Sequence, residues 1–557
     1  MDFEQFYQDK YPAGIPREVD LKKYKNMVDV FEQAVKKYGD RPAFSAVGAT
    51  LTYKDLDTQS RNFAAWLQNK TDLKPGDRIA VQMPNVSQYP VVVFGAMRAG
   101  MIVVNTNPLY TTREMEHQFN DSGAKALVVL ANMAENAEKV LPHTGIEHVI
   151  ITEVADMHSP LKRTLMNAAV KYLKKMVPPF NIPGAHKLPA VLSAGAREKF
   201  TPVDIKLDDL AVLQYTGGTT GVAKGAMLTH ANLVANLTQV RPMLEDQIEE
   251  GKEVVIAPLP LYHIYSFTLN CGIMLEAGAH NILIPNPRDI PGFVKELQKQ
   301  KFSAFIGLNT LFVALCNNEE FQDLDFSGLK LTASGGMALT SDTAKMWERV
   351  TGCEISEGYG MTETSPVVTF NPRSAIQIGT IGLPIPSTVI KTIDDDGNET
   401  PVGEPGELCV KGPQVMRGYW QRPDDTQKSF TEDGYLKTGD IALIQEDGYI
   451  RIVDRKKDMI IVSGFNVFPN EIEDVVTSHP KVVECAAVGI PDAKSGEAVK
   501  VYVVPTKEGV TANEIKEFCR ERLTAYKVPK HFEFRDELPK SNVGKILRRE
   551  LRDEANA

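Results

Sequence analysis

The sequence has 557 residues, of which 43% are hydrophobic and 24% are charged, as in ordinary soluble globular proteins. A chain of this length exceeds what one hydrophobic core supports, so two or more domains are expected. The formal net charge of −10 argues against a nucleic-acid partner. The six cysteines form no C-x-x-C pair, which argues against a disulfide framework or a zinc site.

The N-terminal residues Met-Asp-Phe-Glu-Gln lack the positive region and apolar core of a signal peptide, so none is expected. No apolar run approaches about 18 residues, the length at which a transmembrane helix is predicted. We therefore expect a cytoplasmic protein, or one that lies peripherally on the inner face of the cell membrane.

The first part of the chain alternates helical and strand-like patterns. This alternation predicts α/β layers with largely parallel sheets. Helices are predicted around residues 62–67, 91–100 and 228–237, the last opened by Thr229; strands are predicted at 78–83, 124–130, 148–152 and 210–215.

From residue 380 to 453 the pattern changes to short strands separated by Asp-Gly and Pro-Gly turns, which predicts a mostly antiparallel subdomain. The last 100 or so residues carry their own predicted helices (470–478, 512–523) and strands (485–488, 499–504), enough for a separate unit. The predicted fold is a multidomain α/β protein. Two α/β sheet subdomains and an antiparallel β subdomain form an N-terminal domain (1–454), followed by a hinge (455–458) and a small mobile α+β domain (459–557).

One segment differs in charge from the rest of this acidic chain. Between Asp156 and Glu198 there is no acidic residue but seven lysines and arginines. A helix predicted over 160–177 places apolar residues on one face and most cations opposite, which is typical of a contact with anionic membranes. An ordinary surface helix packed over the core explains the same pattern. The whole segment, 160–197, is the candidate contact.

The segment Tyr-Thr-Gly-Gly-Thr-Thr-Gly-Val-Ala-Lys-Gly at 215–225 holds four glycines, three threonines and a lysine. A glycine-rich turn lets backbone N–H groups approach a polyphosphate, while hydroxyls and an ammonium complete its coordination. We expect this turn to join the strand at 210–215 to the helix at 228–237. The spacing of a Walker A loop is absent. The segment predicts a nucleotide-phosphate site.

Three further motifs add chemistry to this loop. Ser-Glu-Gly-Tyr-Gly-Met-Thr-Glu-Thr at 356–364 combines a ring between glycines with oxygen ligands suited to a phosphate and Mg²⁺. Thr-Gly-Asp at 438–440 suits the two hydroxyls of a ribose, and Lys545 follows a glycine near the C-terminus. Each motif alone is compatible with an ordinary turn or tail, but all four in one chain favour a nucleotide-dependent enzyme.

Together with Asp-Arg-Lys-Lys-Asp at 454–458, these ordered motifs resemble the adenylate-forming superfamily over about residues 30–550. That superfamily comprises acyl-CoA synthetases, peptide-synthetase adenylation domains and firefly-type luciferases. The resemblance is closest to the bacterial long-chain fatty acid–CoA ligases. At Ile461 the family commonly has lysine, so any role of that cation is absent here.

The resemblance implies roles for individual residues. Lys545, Lys224 and Glu363 would be catalytic, Thr216 and Glu363 would hold Mg²⁺, and Lys457 would be the hinge. ATP and AMP would be bound by Thr216, Gly217, Gly218, Thr219, Thr220, Gly221, Lys224, Gly358, Tyr359, Gly360, Thr362, Asp440 and Arg455. His263, Phe267, Gly335 and Gly464 would line the acyl and CoA tunnels.

The implied reaction joins a medium- or long-chain fatty acid to CoA through an acyl-adenylate, with ATP and CoA as co-substrates and Mg²⁺ as cofactor. Two alternatives stay open: a ligase that loads a carrier protein, and a CoA ligase for an aryl or short-chain acid. Self-association as a homodimer is also left open. A catalytically inactive membrane adaptor would require damaged motifs, and all of them are intact.

Overall fold

The structure is a computed structural model that describes residues 3–7, 9–216, 223–463, 465–492, 494–541 and 544–555. The described residues form four sheets with flanking helices. Two large, mainly parallel sheets and a four-stranded antiparallel sheet make up the N-terminal part, and a five-stranded sheet makes up the C-terminal part. This architecture confirms the predicted fold class. None of the helices described could cross a membrane, because none is both long and apolar enough.

The larger sheet has nine strands, and its central strands are almost wholly buried, as parallel strands covered on both faces are. Distant parts of the chain meet in it, since Pro42–Ala46 pairs in parallel with His280–Leu283. In spatial order the strands are Leu383–Pro384, Val367–Phe370, Ile355–Gly360, Leu331–Ser334, Ala304–Gly307, Val254–Ala257, His280–Leu283, Pro42–Ala46 and Ala49–Thr52.

The second sheet has seven strands, and all of its neighbouring strands are parallel except the last pair. The segment 160–185 leads into its first edge strand, whereas Thr216 and Lys224, on the last pair of strands, lie at its opposite edge. In spatial order the strands are His186–Lys187, His148–Thr152, Ala124–Leu130, Arg78–Gln82, Ile102–Asn105, Leu210–Thr216 and Lys224–Thr229.

Helices cover both sheets, and an aromatic cluster around the fully buried Trp347 packs between the larger sheet and its helices. The longer helices are Met27–Tyr38, Tyr53–Lys70, Gln88–Arg98, Thr112–Ser122, Ala134–Val140, Pro160–Ala168, Leu188–Gly195, His230–Val240, Ile290–Leu297, Asn309–Cys316 and Ser341–Thr351. Shorter ones are Phe3–Phe6, Ile264–Ser266, Met274–Glu276, Glu319–Gln322 and Pro423–Ser429, and π-helical turns span Ala169–Leu173 and Phe267–Ile273.

The antiparallel sheet consists of Val389–Ile393, Gly406–Lys411, Leu436–Ile444 and Ile450–Arg455, as the turn-rich sequence predicts. The C-terminal part has its own hydrophobic cluster around strands Val482–Asp492 and Gly496–Pro505. Its other elements are strands Ile460–Val462, Phe465–Val467 and His531–Phe534, and helices Pro469–Thr477, Ala512–Arg520 and Arg548–Ala555. The domain boundary placed at 454–459 stays a prediction.

The basic helix differs from its prediction at its C-terminal end. It runs over Pro160–Ala168 and a π-helical turn to Leu173, and Lys175 has a left-handed φ of 52°, which no helix continues through. Its apolar face is exposed, and only Asn167 on the helix Pro160–Ala168 is buried. All six cysteines are free and buried.

Candidate active site

A cleft of about 2420 Å³ lies where the carboxyl ends of the central strands of the larger sheet face the antiparallel sheet and the C-terminal part. In parallel α/β sheets this edge is where ligands bind. The predicted site residues that line the cleft are Thr216, Lys224, His263, Gly335, Gly358, Tyr359, Gly360, Thr362, Glu363, Asp440, Arg455, Lys457 and Lys545. Residues from seven separate stretches of the sequence therefore line one cleft.

The glycine-rich segment connects two antiparallel strands, not a strand and a helix as expected. Leu210–Thr216 pairs with Lys224–Thr229, and the helix His230–Val240 begins only afterwards, capped by Thr229. The expectation failed because residues 224–229 form too short a run. Over six residues, the alternating pattern of a strand cannot be distinguished from the periodicity of a helix. The strand pair brings Thr216 beside Lys224 at the mouth of the cleft. Gly217, Gly218, Thr219, Thr220 and Gly221 lie outside the described residues.

The ammonium of Lys224 lies 2.9 Å from Oδ2 of Asp425 and 5.3 Å from the ring centroid of Tyr419. The Tyr419 hydroxyl in turn donates to Oε1 of Glu363 at 2.7 Å. Burial and the Glu363 charge hold the pKa of Tyr419 far above its usual range, so this hydroxyl remains a donor. Lys224 and Glu363 are thus joined through one aromatic side chain.

Glu363 lies on a short 3-10 turn, Thr362–Thr364, directly after the strand Ile355–Gly360. Its carboxyl group is buried, and burial raises its pKa. Its carboxylate and the hydroxyl-bearing residues Thr216 and Thr362 line the same cleft, and oxygen donors of this kind are the ones that Mg²⁺ prefers. The residues present therefore fit a magnesium ion bound together with a nucleotide.

Asp440 and Arg455 face each other on paired strands of the antiparallel sheet, with Arg455 Nε 3.3 Å from Asp440 Oδ1. The hydroxyl of Tyr359 donates to the other oxygen of Asp440. The aspartate is buried at the cleft wall, while the arginine is partly exposed. A carboxylate that already accepts two donors is fixed in orientation, as recognition of a diol requires.

Lys545 enters the cleft from the C-terminal part. Burial lowers its pKa to about 8, and the neighbouring charge of Arg455 adds to this effect. The residue before it, Gly544, has a φ of 82°, and a Cβ there would lie 2.9 Å from Oγ1 of Thr310 on the N-terminal part. Only glycine allows this turn to approach so closely. Lys457 also lines the cleft, and burial lowers its pKa to about 8 as well.

His263 caps a short helix, its Nδ1 accepting the N–H of Tyr265 at 3.3 Å. Burial and the Lys545 charge lower its pKa to about 4. The ring is therefore neutral at pH 7, and its proton lies on Nε2.

The structure does not bring Phe267 to the cleft. Phe267 is buried in the hydrophobic core at the start of the π-helical turn, and Tyr265, two residues earlier, lines the cleft instead. The extra residue in a π-helical turn changes which side chains share a face, and the sequence carries no signal of it. Gly464 lies outside the described residues.

Three polar residues that sequence reasoning missed also line the cleft. Glu357 is buried, and burial raises its pKa to about 8, which leaves it largely neutral at pH 7. The hydroxyls of Tyr265 and Ser334 are buried without a hydrogen-bond partner among the described residues. Glu357 lies within the 356–364 motif, and Tyr265 lies two residues after His263. Their closeness in the sequence to predicted site residues is the signal that could have identified them.

One part of the cleft lining, here called the apolar branch, consists of buried apolar side chains that also belong to the hydrophobic core. It is lined by side chains of the helix His230–Val240, the turn that follows it and the segment 259–274. These residues are Val240, Leu244, Leu259, Ile264, Leu269 and Met274, and all are buried. The apolar branch is an environment suited to a hydrocarbon chain.

The sequence matches two family models. The model for the AMP-binding enzyme family covers residues 31–420, and the model for the AMP-binding enzyme C-terminal domain covers residues 471–545. The chain belongs to the AMP-binding enzyme family, which confirms the family that its motifs resemble.

Curated relatives match over almost the full length. A long-chain-fatty-acid–CoA ligase of Escherichia coli O6:H1 is 56% identical over 553 residues, which cover 99% of this chain and 98% of the relative. The protein of the same name from Bacillus subtilis is 37% identical, with 98% and 97% covered.

Solved structures share the fold. ATP-bound MatB from Rhodopseudomonas palustris superposes with a TM-score of 0.78 at 29% identity and covers 95% of this chain and 99% of its own. The anthranilate CoA ligase AuaEII, in complex with anthranoyl-AMP, has a TM-score of 0.84 at 24% identity, covering 96% and 98%.

Proposed function

We propose that the protein ligates long-chain fatty acids to CoA in two steps, through an acyl-adenylate. The observation that carries this proposal is the convergence of Lys224, Glu363 and Lys545 on one cleft that continues into an apolar branch. The near full-length similarity to a bacterial long-chain-fatty-acid–CoA ligase supports the choice of acid and acceptor.

In the first step a carboxylate oxygen attacks the α-phosphorus of ATP, and the bond to the leaving pyrophosphate breaks. Two anions must approach, so cations have to neutralise charge that increases in the transition state. Lys545 would contact the α-phosphate and the carboxylate, and Lys224 the β- and γ-phosphates. Thr216 and Glu363 would hold Mg²⁺, which supplies further charge neutralisation when bound.

The remaining residues would bind and orient the nucleotide. Tyr359, flanked by Gly358 and Gly360, would stack on the adenine. Asp440 and Arg455 would fix the ribose. His263, as a neutral donor through Nε2, would lie beside the acyl carbonyl.

In the second step the CoA sulfur attacks the acyl carbonyl, the thiol proton is released, and AMP leaves. Lys545 would obstruct this attack, so the C-terminal part would rotate about Lys457 and bring Gly464 to the pantetheine. Gly464→Leu should therefore reduce thioester formation from supplied acyl-AMP while sparing ATP–pyrophosphate exchange. Equal loss in both reactions would contradict the rotation.

Exchange of labelled pyrophosphate into ATP, driven by a fatty acid, tests the first step. Acids from C6 to C18 and one aromatic acid should show a maximum among the longer chains. Exchange only with the aromatic acid, or no exchange at all, would refute the proposal. Holo-carrier protein offered in place of CoA distinguishes the carrier-loading alternative.

We also propose that the protein contacts anionic membranes through the basic segment 160–197. Among the described residues, eleven large apolar side chains are markedly exposed, and five of them fall within 161–176. They are Leu161, Leu165, Tyr172, Leu173 and Met176, and exposed lysines surround them. A contact with lipid explains this surface better than packing of the helix over the hydrophobic core does. The buried residue of the helix, Asn167, makes polar contacts with Ala155 and Asp156, whereas the large apolar side chains are exposed.

Co-sedimentation with vesicles tests this contact. Lysines near an anionic bilayer contribute about 1 kcal/mol each, so reversing Lys171, Lys174 and Lys175 to glutamate should weaken binding at least about 100-fold. Reversing three exposed lysines elsewhere, Lys22, Lys36 and Lys54, is the control. Equal binding to neutral and anionic vesicles would refute the contact without affecting the exchange assay. Dimer formation stays a prediction, which sedimentation velocity tests.

A further inference from the structure

The segment 415–420 lies against the strand Lys224–Thr229 that follows the glycine-rich loop. Three backbone hydrogen bonds join them: Arg417 N–H to Met227 O (3.1 Å), Met227 N–H to Gly418 O (2.9 Å) and Trp420 N–H to Gly225 O (2.8 Å). A fourth, from the N–H of Met416 to the carbonyl of Glu363 at 2.7 Å, ties the same segment to the Glu363 turn. The backbone of this segment thus fixes the phosphate-binding strand relative to the proposed metal ligand.

The side chain of Tyr419 also connects the strand Lys224–Thr229 to the Glu363 turn, through contacts with the Lys224 and Glu363 side chains. Its hydroxyl donates to Glu363 Oε1 at 2.7 Å, and Lys224 Nζ lies 5.3 Å from its ring centroid. We propose that Tyr419 is a positioning residue that sets the carboxylate of Glu363 for Mg²⁺ and holds Lys224 over its ring for the phosphates. This inference rests on the proposed adenylation.

The physical argument is that a buried carboxylate needs a fixed partner. A donor on Oε1 orients the carboxylate plane, which leaves Oε2 for a cation, and it reduces the cost of keeping the group ionised. Outer partners of metal ligands typically change metal affinity by about 10- to 100-fold when they are removed. The ring makes a separate contribution, because its face attracts the ammonium without forming a hydrogen bond.

The two contributions can be separated by substitution. Tyr419→Phe removes the hydroxyl and keeps the ring, whereas Tyr419→Leu removes both. Tyr24→Phe is a matched control, because the Tyr24 hydroxyl donates to Oε1 of Glu276 at 2.6 Å and neither residue lines the cleft. Glu276 is also mostly buried, so the same chemical change is made at a comparable carboxylate.

The primary measurement is Mn²⁺ binding, followed by electron paramagnetic resonance in the presence of a non-hydrolysable ATP analogue. Tyr419→Phe should raise the Mn²⁺ dissociation constant about 10- to 100-fold, and Tyr24→Phe should leave it unchanged. In pyrophosphate exchange at saturating Mg²⁺, Tyr419→Phe should keep the KM for ATP and Tyr419→Leu should raise it several-fold.

Unchanged Mn²⁺ binding in Tyr419→Phe would overturn the role of the hydroxyl, as would an equal loss in Tyr24→Phe. An unchanged KM for ATP in Tyr419→Leu would overturn the role of the ring. Because Mn²⁺ binding is measured without turnover, failure of the exchange reaction in the unmodified protein would refute the proposed function separately.

Discussion

The lowered pKa of Lys545 predicts that adenylation is sensitive to alkaline pH. With a pKa of about 8, caused first by burial and then by Arg455, the side chain is mostly charged at pH 7 and mostly neutral at pH 9. Because the pKa lies below that of a free lysine, the positive charge is lost as pH rises through about 8. The proposed role of Lys545 in adenylation needs that charge, so the adenylation rate should fall on the alkaline side.

The magnitude follows from the protonated fraction. A group with a pKa of about 8 is about nine-tenths protonated at pH 7 and about one-tenth protonated at pH 9. The kcat/KM for ATP, which reports the free enzyme, should therefore fall about tenfold between these pH values. Complete removal of the charge in Lys545→Ala should cost about 100- to 1000-fold, the scale of one lost transition-state contact.

The assay is pyrophosphate exchange, which needs no CoA and so excludes ionisation of the thiol. Lys545→Arg stays charged throughout this range, so its profile should be flat even if its rate is lower. Lys457 also has a pKa of about 8, and Lys457→Arg controls for it: the alkaline fall should persist there. An alkaline fall that survives in Lys545→Arg would refute the assignment to Lys545.

Three further predictions concern neighbouring features. Gly544→Ala places a Cβ in a left-handed turn against Thr310 and should reduce exchange about 5- to 30-fold, from about 1–2 kcal/mol of strain, with acyl-AMP thioesterification retained. Leu244→Trp should fill the apolar branch and shift the optimum in the acid panel to shorter chains; an unchanged optimum would place the hydrocarbon elsewhere. Trp347→Ala should lower the free energy of unfolding by about 3–5 kcal/mol in denaturant titrations, and a loss below about 1 kcal/mol would contradict the cluster.

Sequence patterns predicted the elements whose periodicity is strong and uninterrupted. The strand Ala124–Leu130 and the helix Pro469–Thr477 lie within one or two residues of their predicted positions. The order of strands in the larger sheet was not predictable, because Pro42–Ala46 pairs with a strand more than 200 residues away. Local periodicity carries no information about such pairings.

The candidate site was predictable where chemistry concentrates in short motifs, as in Tyr359, Glu363 and Asp440, which all line the cleft. It was not predictable where a single residue acts through tertiary contact. Tyr419 lies in an ordinary Gly-Tyr-Trp run, and its two contacts come from segments 56 and 195 positions earlier. For Phe267 the family resemblance implied a place in the acyl tunnel, but the side chain is buried in the hydrophobic core, which does not favour that role.

The layout of the seven-stranded sheet separates the proposed membrane contact from the proposed phosphate site. The exposed apolar helix leads into the edge strand His186–Lys187, and the strand Lys224–Thr229 forms the other edge. These two edge strands are six strand spacings, or roughly 29 Å, apart. An enzyme resting on lipid through the first edge would keep the other edge, with the proposed phosphate site, away from the bilayer. Membrane binding and catalysis would then be independent, so an enzyme that stays bound to the bilayer could complete many catalytic cycles.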